Sequence, residues 1–138
     1  MATNSGSPST IWRRCCSPGC SCRGYDGVQA YRRSKLALAA YTFDLADELK
    51  TADVTVNCSH PATLMNTTMV VDAGITPVST LEQGGQATLR LVTDPALEGI
   101  TGQFFDGLKT SRARPEAYDP QFRARLREVT GWLLGKVA

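Results

Sequence analysis

From Val28 to Lys50 the chain holds no proline and no glycine, a run of about six helical turns. Its composition favours a single long helix. Ala30, Ala37, Ala39, Ala40 and Ala46 are strong helix formers. Leu38, Tyr41, Leu45 and Leu49 recur at three and four residues, which predicts a core-facing stripe. A short β-branched run follows, Asp53-Val54-Thr55-Val56-Asn57-Cys58-Ser59-His60, with alternate valines and a stop at Pro61; it predicts a strand. A long helix running into a strand is half of a βαβ unit, so an α/β fold with a parallel sheet is expected. Tyr31 and Lys35 sit one turn apart at the start of the helix, on one face. A phenol beside an ammonium is a proton-transfer pair in principle, because a nearby positive charge favours the ionised phenol. Tyr-x-x-x-Lys alone is a weak signal, since any helix can hold it by chance.

The 138 residues, 42% of them hydrophobic, suit one domain with one core. Fifteen Lys and Arg against thirteen Asp and Glu leave a net charge of +2. A nucleic-acid binder usually shows a strong basic excess gathered on one face, so no nucleic-acid partner is expected. No apolar run approaches the roughly 18–20 residues of a membrane span. The N-terminus has no apolar signal-peptide region. The expected location is cytoplasmic.

Residues 1–23 differ from all that follows. Met1 to Thr10 is a polar, turn-forming series, and four of the five cysteines crowd into Cys15-Cys16-Ser17-Pro18-Gly19-Cys20-Ser21-Cys22. Four thiolates can close a zinc shell, but adjacent Cys15-Cys16 and the tight Cys20-x-Cys22 do not match paired Cys-x-x-Cys knuckles. An unstructured segment without a metal site is expected, with a cysteine metal module as the other reading. Patterning starts abruptly near Gly24, which makes 24–138 the folded part.

Beyond the strand, His60-Pro61-Ala62-Thr63 sits at its carboxyl end, where α/β sheets bind ligands. No serine or cysteine motif accompanies His60, the sole histidine, so its expected role is structural. Residues 62–78 form an apolar loop, either a lid or a short interrupted helix. Ser79-Thr80-Leu81-Glu82 reads as a capping box opening a helix to about Val92. Gly84-Gly85 inside it suggests a close helix–sheet approach. Thr101 to Asp106 reads as a short buried strand, and Asp119-Pro120 starts a last helix. Phe122, Leu126, Val129 and Leu133 would form its inner stripe, with Arg123, Arg125 and Arg127 solvated.

The succession of Tyr31-Arg32-Arg33-Ser34-Lys35-Leu36-Ala37, Val54-Thr55-Val56-Asn57-Cys58-Ser59-His60-Pro61-Ala62-Thr63, Glu82-Gln83-Gly84-Gly85 and Gly102-Gln103-Phe104-Phe105 resembles the C-terminal half of the short-chain dehydrogenase/reductase family, in its retinol-dehydrogenase-like branch. The resemblance covers roughly residues 24–135. It implies the C-terminal part of a Rossmann-like doubly wound parallel sheet and NAD(P)-dependent interconversion of an alcohol and a carbonyl. By the same resemblance Tyr31 is the acid/base, and Lys35 lowers the tyrosine's pKa and holds the nicotinamide ribose. Pro61 and Ala62 lie beside the nicotinamide, where relatives usually have Pro-Gly, and Thr67 meets the carboxamide. The loop 62–78 covers a hydrophobic alcohol or aldehyde.

The chain contains no Gly-x-x-x-Gly-x-Gly dinucleotide fingerprint, nor the acidic or basic residue that chooses NAD over NADP. The family's catalytic serine matches only by position at Ser5, Ser7 or Ser9. Such text reads as a family domain truncated at its N-terminus, with residues 1–23 a frame-shifted or mis-started reading. Little or no activity is then expected of the chain alone. The alternative is a non-catalytic remnant that associates, as a homo-oligomer or with another partner, through the apolar face of the long helix.

Overall fold

The first helix, α1, spans Gly27–Glu48 and begins where a side chain can cap it. The Asp26 carboxylate accepts the backbone N–H groups of Val28 at 2.9 Å and Gln29 at 3.2 Å, satisfying donors that no helical carbonyl reaches. The computed structural model describes residues 25–135; the cysteine cluster and Ser5, Ser7 and Ser9 lie outside them. By its contacts the chain divides into two units, Met1–Tyr31 and Arg32–Ala138. The described part of the first is Tyr25 to Tyr31, the capped start of α1. The second holds β1 (Cys58–His60), α2 (Thr68–Asp72), α3 (Leu81–Thr93), a 3-10 turn at Pro95–Leu97, β2 (Phe104–Asp106), β3 (Lys109–Ser111), a second 3-10 turn at Pro115–Tyr118, and α4 (Pro120–Gly135).

The three strands form one sheet in the order β1-β2-β3. β1 and β2 are parallel, with His60 opposite Asp106, and the crossover between them carries α2 and α3. β3 returns antiparallel, with Asp106 opposite Lys109. The architecture is thus α/β, part of a Rossmann-like arrangement, and its sheet is mixed rather than wholly parallel. Asp106-Gly107 is the local cause: Gly107, at φ 57°, opens a two-residue hairpin loop at the position a type II′ turn gives to glycine.

The strand expected over 53–60 is paired as a ladder only from Cys58. Before that point side chains add to a backbone bond from the Gly102 N–H to the Val56 carbonyl at 2.8 Å. The Val56 N–H donates to Thr101 Oγ1 at 3.0 Å, Asn57 Nδ2 donates to the Ile100 carbonyl at 2.7 Å, and Asn57 Oδ1 accepts from the Gln103 N–H at 3.0 Å. These bonds hold the two segments together where the ladder is interrupted.

The core lies between α1, the sheet and the C-terminal elements. Ala39, Ala40, Phe43 and Ala117 are its buried members, with Leu36, Cys58, Phe104, Tyr118, Phe122 and Leu126 packed around them. The alanines allow backbone-close packing, and Phe43 stacks on Tyr118 with ring centroids 4.6 Å apart. Phe105, the next residue along β2, faces the opposite side of the sheet. It is 1% exposed, so that side is covered too.

This placement corrects the expected helix stripe. The covered face of α1 is built on Ala39, Ala40, Phe43 and Ala46, while Leu38 and Tyr41 remain 55% and 52% exposed and Leu45 and Leu49 are half-buried. The leucine and tyrosine stripe exists, but it is only partly covered, at the Leu45 and Leu49 end. On α4, Phe122 and Leu126 do pack inward, whereas Val129 and Leu133 are exposed. Arg123 and Arg127 are not simply solvated: both guanidiniums reach the Asp44 carboxylate, and Arg123 also meets Asp47 at 2.6 Å. Arg125 pairs on the surface with Glu128 at 2.6 Å.

Two further details shift. The capping box belongs to Thr80 and Gln83, one residue later than expected: Thr80 Oγ1 accepts the Gln83 N–H at 3.1 Å and Gln83 Oε1 accepts the Thr80 N–H at 2.9 Å. Ser79 is held outside the helix because its carbonyl accepts the Asn66 N–H. In α3, only Gly84 is a close approach. A Cβ there would lie 2.2 Å from Met65 Sδ, so the neighbour is the 62–78 loop rather than the sheet, and Gly85 has open space around it.

Candidate functional site

At the carboxyl end of β1 the chain turns sharply. The His60 carbonyl accepts the Gly107 N–H at 2.9 Å, which ties the end of β1 to the hairpin after β2. His60 Nε2 and Thr63 Oγ1 are hydrogen-bonded at 2.9 Å, bracketing Pro61 and Ala62 between them. Both bracketed residues are half-buried. Leu64 is the described non-glycine residue with a positive φ, 44°, a left-handed conformation that costs about 1–2 kcal/mol. Ala62 adopts no such conformation, so an alanine is accommodated where the resemblance leads one to expect glycine.

The segment after Leu64 is closed at its base. Val78 N–H donates to the Leu64 carbonyl at 3.0 Å and Asn66 N–H to the Ser79 carbonyl at 3.0 Å, while Met65 and Ser79 form an isolated parallel bridge. Within it lies α2, so the loop expected over 62–78 contains a short helix. Val70 is buried under it, and Met69, Val71, Ile75 and Val78 are exposed.

Thr67 is the N-cap residue of α2, and its side chain makes no capping hydrogen bond. Its Oγ1 is buried and has no hydrogen-bond partner within the protein, alone among the buried side-chain polar atoms of the described residues. Thr67 is therefore an unusual cap. Burying a hydroxyl without a partner costs about 1–3 kcal/mol, and such atoms call for a local explanation.

Tyr31 and Lys35 occupy α1 four residues apart, which puts them on one helical face; both are exposed. Pro61, Ala62 and Thr67 lie along the one segment that leaves β1. Cys58, in β1 itself, is half-buried. Burial pushes its thiol above the usual range, partly offset by a hydrogen bond with Thr42, so it stays protonated at neutral pH and is a poor nucleophile. No group of three or more His, Cys, Asp or Glu among the described residues could hold a metal ion. No described helix is long and apolar enough to cross a membrane.

Three features here escaped sequence reasoning. The hairpin after β2 had a partial signal, since Gly107 marks a turn, but an Asp-Gly central pair would have put the loop one residue before the observed Gly107-Leu108. Thr63 had none, because a His-x-x-Thr bond depends on how the chain leaves the strand. The Asp44 and Arg123 pairing depends on packing between elements distant in sequence.

Comparison with known proteins finds relatives by sequence. The chain is 30% identical to human retinol dehydrogenase 13 over 128 residues, covering 82% of this chain and 38% of that protein. It is 27% identical to human retinol dehydrogenase 14 over 125 residues, covering 82% of this chain and 37% of that protein. It is 25% identical to the WW domain-containing oxidoreductase of Danio rerio over 117 residues, or 78% and 28% of the two chains. The chain thus spans well under half the length of the curated relatives it matches. No protein-family model matches it, and no solved structure matches it.

Proposed function

Because this chain belongs to the short-chain dehydrogenase/reductase family, in its retinol-dehydrogenase-like branch, we propose that it carries the acid/base helix and the nicotinamide-facing turn of an NAD(P)-dependent oxidoreductase. The observation that carries this reading is the Thr67 hydroxyl. A buried Oγ1 with no protein partner, at the N-terminus of α2, suits a polar group brought by a ligand. The residue is the one that the family resemblance assigns to the nicotinamide carboxamide.

In this reading Tyr31 gives a proton to the carbonyl oxygen of the substrate, or takes one from the alcohol in the reverse direction. Lys35, one turn further along α1, supports the ionised phenol and hydrogen-bonds the ribose hydroxyls. Pro61 and Ala62 form the wall beside the nicotinamide ring. NAD or NADP, when bound, supplies the hydride chemistry. The segment 62–78, with Met69, Val71 and Ile75 on its surface, faces an apolar alcohol or aldehyde; the names of the relatives point to a retinoid.

The chain lacks the glycine fingerprint that cradles the pyrophosphate, so it supplies the nicotinamide end of the site alone. Weak cofactor affinity and little or no turnover by the 138-residue chain are expected. Titration of the purified chain with NADH and with NADPH, followed by fluorescence, tests the proposal. Saturable binding in the high micromolar to millimolar range supports it, and no binding at millimolar cofactor sinks it for this chain.

A second reading rests on the exposed part of the α1 stripe. Leu38 and Tyr41 are more than half exposed, and such an apolar face suits association. Here the chain acts as an interaction or homo-oligomerisation fragment without catalysis. A sedimentation mass that stays monomeric from micromolar to near-millimolar concentration removes this reading.

A further inference from the structure

We propose that His60 and Thr63 act as a positioning pair, a side-chain clamp that fixes the Pro61-Ala62 backbone for the nicotinamide; the inference rests on the cofactor-binding reading of that turn. Five observations converge on it. His60 is the last residue of β1 and is paired in register with Asp106 of β2, so its own backbone is anchored by the sheet. Its carbonyl is further held by the Gly107 N–H at 2.9 Å. From this fixed base, Nε2 reaches across two residues to Thr63 Oγ1 at 2.9 Å. On the far side, Leu64 enters a left-handed conformation at φ 44°, and its carbonyl is tied to the Val78 N–H. Pro61 and Ala62 are therefore spanned by a hydrogen bond and flanked by anchored backbone at both ends.

The pair solves a problem set by the sequence. Proline fixes its own φ and gives no N–H, so Pro61 cannot be held by a backbone hydrogen bond donated from its own nitrogen. Ala62 brings only a methyl group. Neither residue has a polar side chain to hold the turn in place. The neighbours on both sides do, and their side chains meet. A wall that is fixed before the ligand arrives loses less freedom on binding and so binds more tightly. His60 and Thr63 are not proposed to touch substrate or cofactor. The hydroxyl can donate to or accept from the imidazole, so the bond is available to either neutral tautomer.

The test uses the full chain. Thr63→Val removes the hydroxyl and keeps the shape; Thr63→Ser keeps the hydroxyl. The expected result is NADH affinity weakened about threefold to tenfold in Thr63→Val and in His60→Ala, with near-normal affinity in Thr63→Ser. The double variant Thr63→Val with His60→Ala should lose no more than either single change, because both remove the same bond. Amide hydrogen exchange at Ala62 should speed up in Thr63→Val and not in Thr63→Ser, with the melting temperature little changed. If the parent chain binds NADH and Thr63→Val binds it equally well, the clamp is overturned and the cofactor reading stands. If Thr63→Ser is as weak as Thr63→Val, or the two single losses add in full, the clamp is also overturned. Absence of NADH binding by the parent chain overturns the cofactor reading, and the clamp's functional role with it.

Discussion

Arg123 of α4 sets its guanidinium against the carboxylate of Asp44 in α1, a contact between residues 79 positions apart in the chain. Asp44 is 9% exposed, and Arg127 approaches its other oxygen. Removing one partner of a buried ion pair leaves the others desolvated without compensation, at a cost of about 3–5 kcal/mol. The cost here is smaller, since Arg127 is largely exposed and Arg123 retains Asp47. Asp44→Ala is expected to lower unfolding free energy by about 2–3 kcal/mol and Asp47→Ala by at most about 1 kcal/mol, both measured by urea denaturation. Equal losses would contradict the difference in burial.

The stability profile should bend at both ends of the pH scale. Hydrogen bonds from Lys50 and then Arg123 hold the Asp47 carboxyl below its ordinary value of 3.8, and Arg90 and then the Ala96 N–H do the same for Asp94. A carboxyl depressed in the folded state contributes stability above its unfolded pKa and loses it as pH falls through the folded value. The acid limb should therefore lie below about pH 3.8, and be shallow because neither group is buried. Cys58 has the opposite sign: its thiol is raised above 9.0 by burial. Its contribution is complete below pH 9.0 and is lost as pH rises through the folded value. Thermal melts from pH 2 to 11 check both limbs, and Cys58→Ser should flatten the alkaline one.

The adjacent glycines of α3 should respond in opposite senses. Gly85 has nothing within 4 Å of a would-be Cβ, so Gly85→Ala should stabilise by about 0.5–1 kcal/mol through helix propensity alone. At Gly84 the new methyl would meet Met65 Sδ at 2.2 Å, and Met65 must move. Overpacking of this kind costs about 1–3 kcal/mol, set against the same propensity gain. Gly84→Ala should be neutral to destabilising, with faster amide exchange in the 62–78 segment. A stabilised Gly84→Ala would mean that Met65 is free to leave its place.

Thr67→Val replaces an unpartnered buried hydroxyl with a methyl of similar shape. Losing an unsatisfied polar atom should stabilise the free chain by about 1 kcal/mol, while NADH affinity should fall about fivefold or more. Tyr31→Phe should abolish any alcohol-dependent NADH formation, since it removes the group that takes the alcohol proton in that direction. A Thr67→Val chain that is both less stable and unchanged in NADH binding would place a hidden partner on that hydroxyl and remove the main support for the site.

Local chemistry was readable in the sequence, and which neighbour each face would meet was not. The helix expected from Val28 follows from alanine content and the absence of glycine and proline, both local features. The capped helix α3 and the proline start of α4 are local for the same reason. The face that α1 buries was misjudged because hydrophobicity does not distinguish a covered stripe from an uncovered one. Ala39, Ala40 and Ala46 are small enough to lie against a sheet, and Leu38 and Tyr41 point elsewhere. The strand over 53–60 looked longer than its ladder because the side-chain bonds of Asn57 and Thr101 that join it to residues 100–103 link parts of the chain distant in sequence. For the candidate site, motif order along the chain suggested Tyr31, Lys35, Pro61, Ala62 and Thr67. The orphaned hydroxyl of Thr67 and the reach of His60 to Thr63 needed three dimensions.

The packing of Ala39, Ala40 and Phe43 against Phe122 and Leu126 also sets an order of events during synthesis. The ribosome makes α1 before the residues that cover it, an interval of several seconds at about 5–20 residues per second. Throughout that time the nascent helix shows two greasy sides, one awaiting α4 and one bearing Leu38 and Tyr41, which stay exposed in the folded chain. Arrested chains ending before Phe122 should be cut by protease within α1 where chains that include α4 resist. A nascent chain of this kind is natural prey for a chaperone until its last helix arrives.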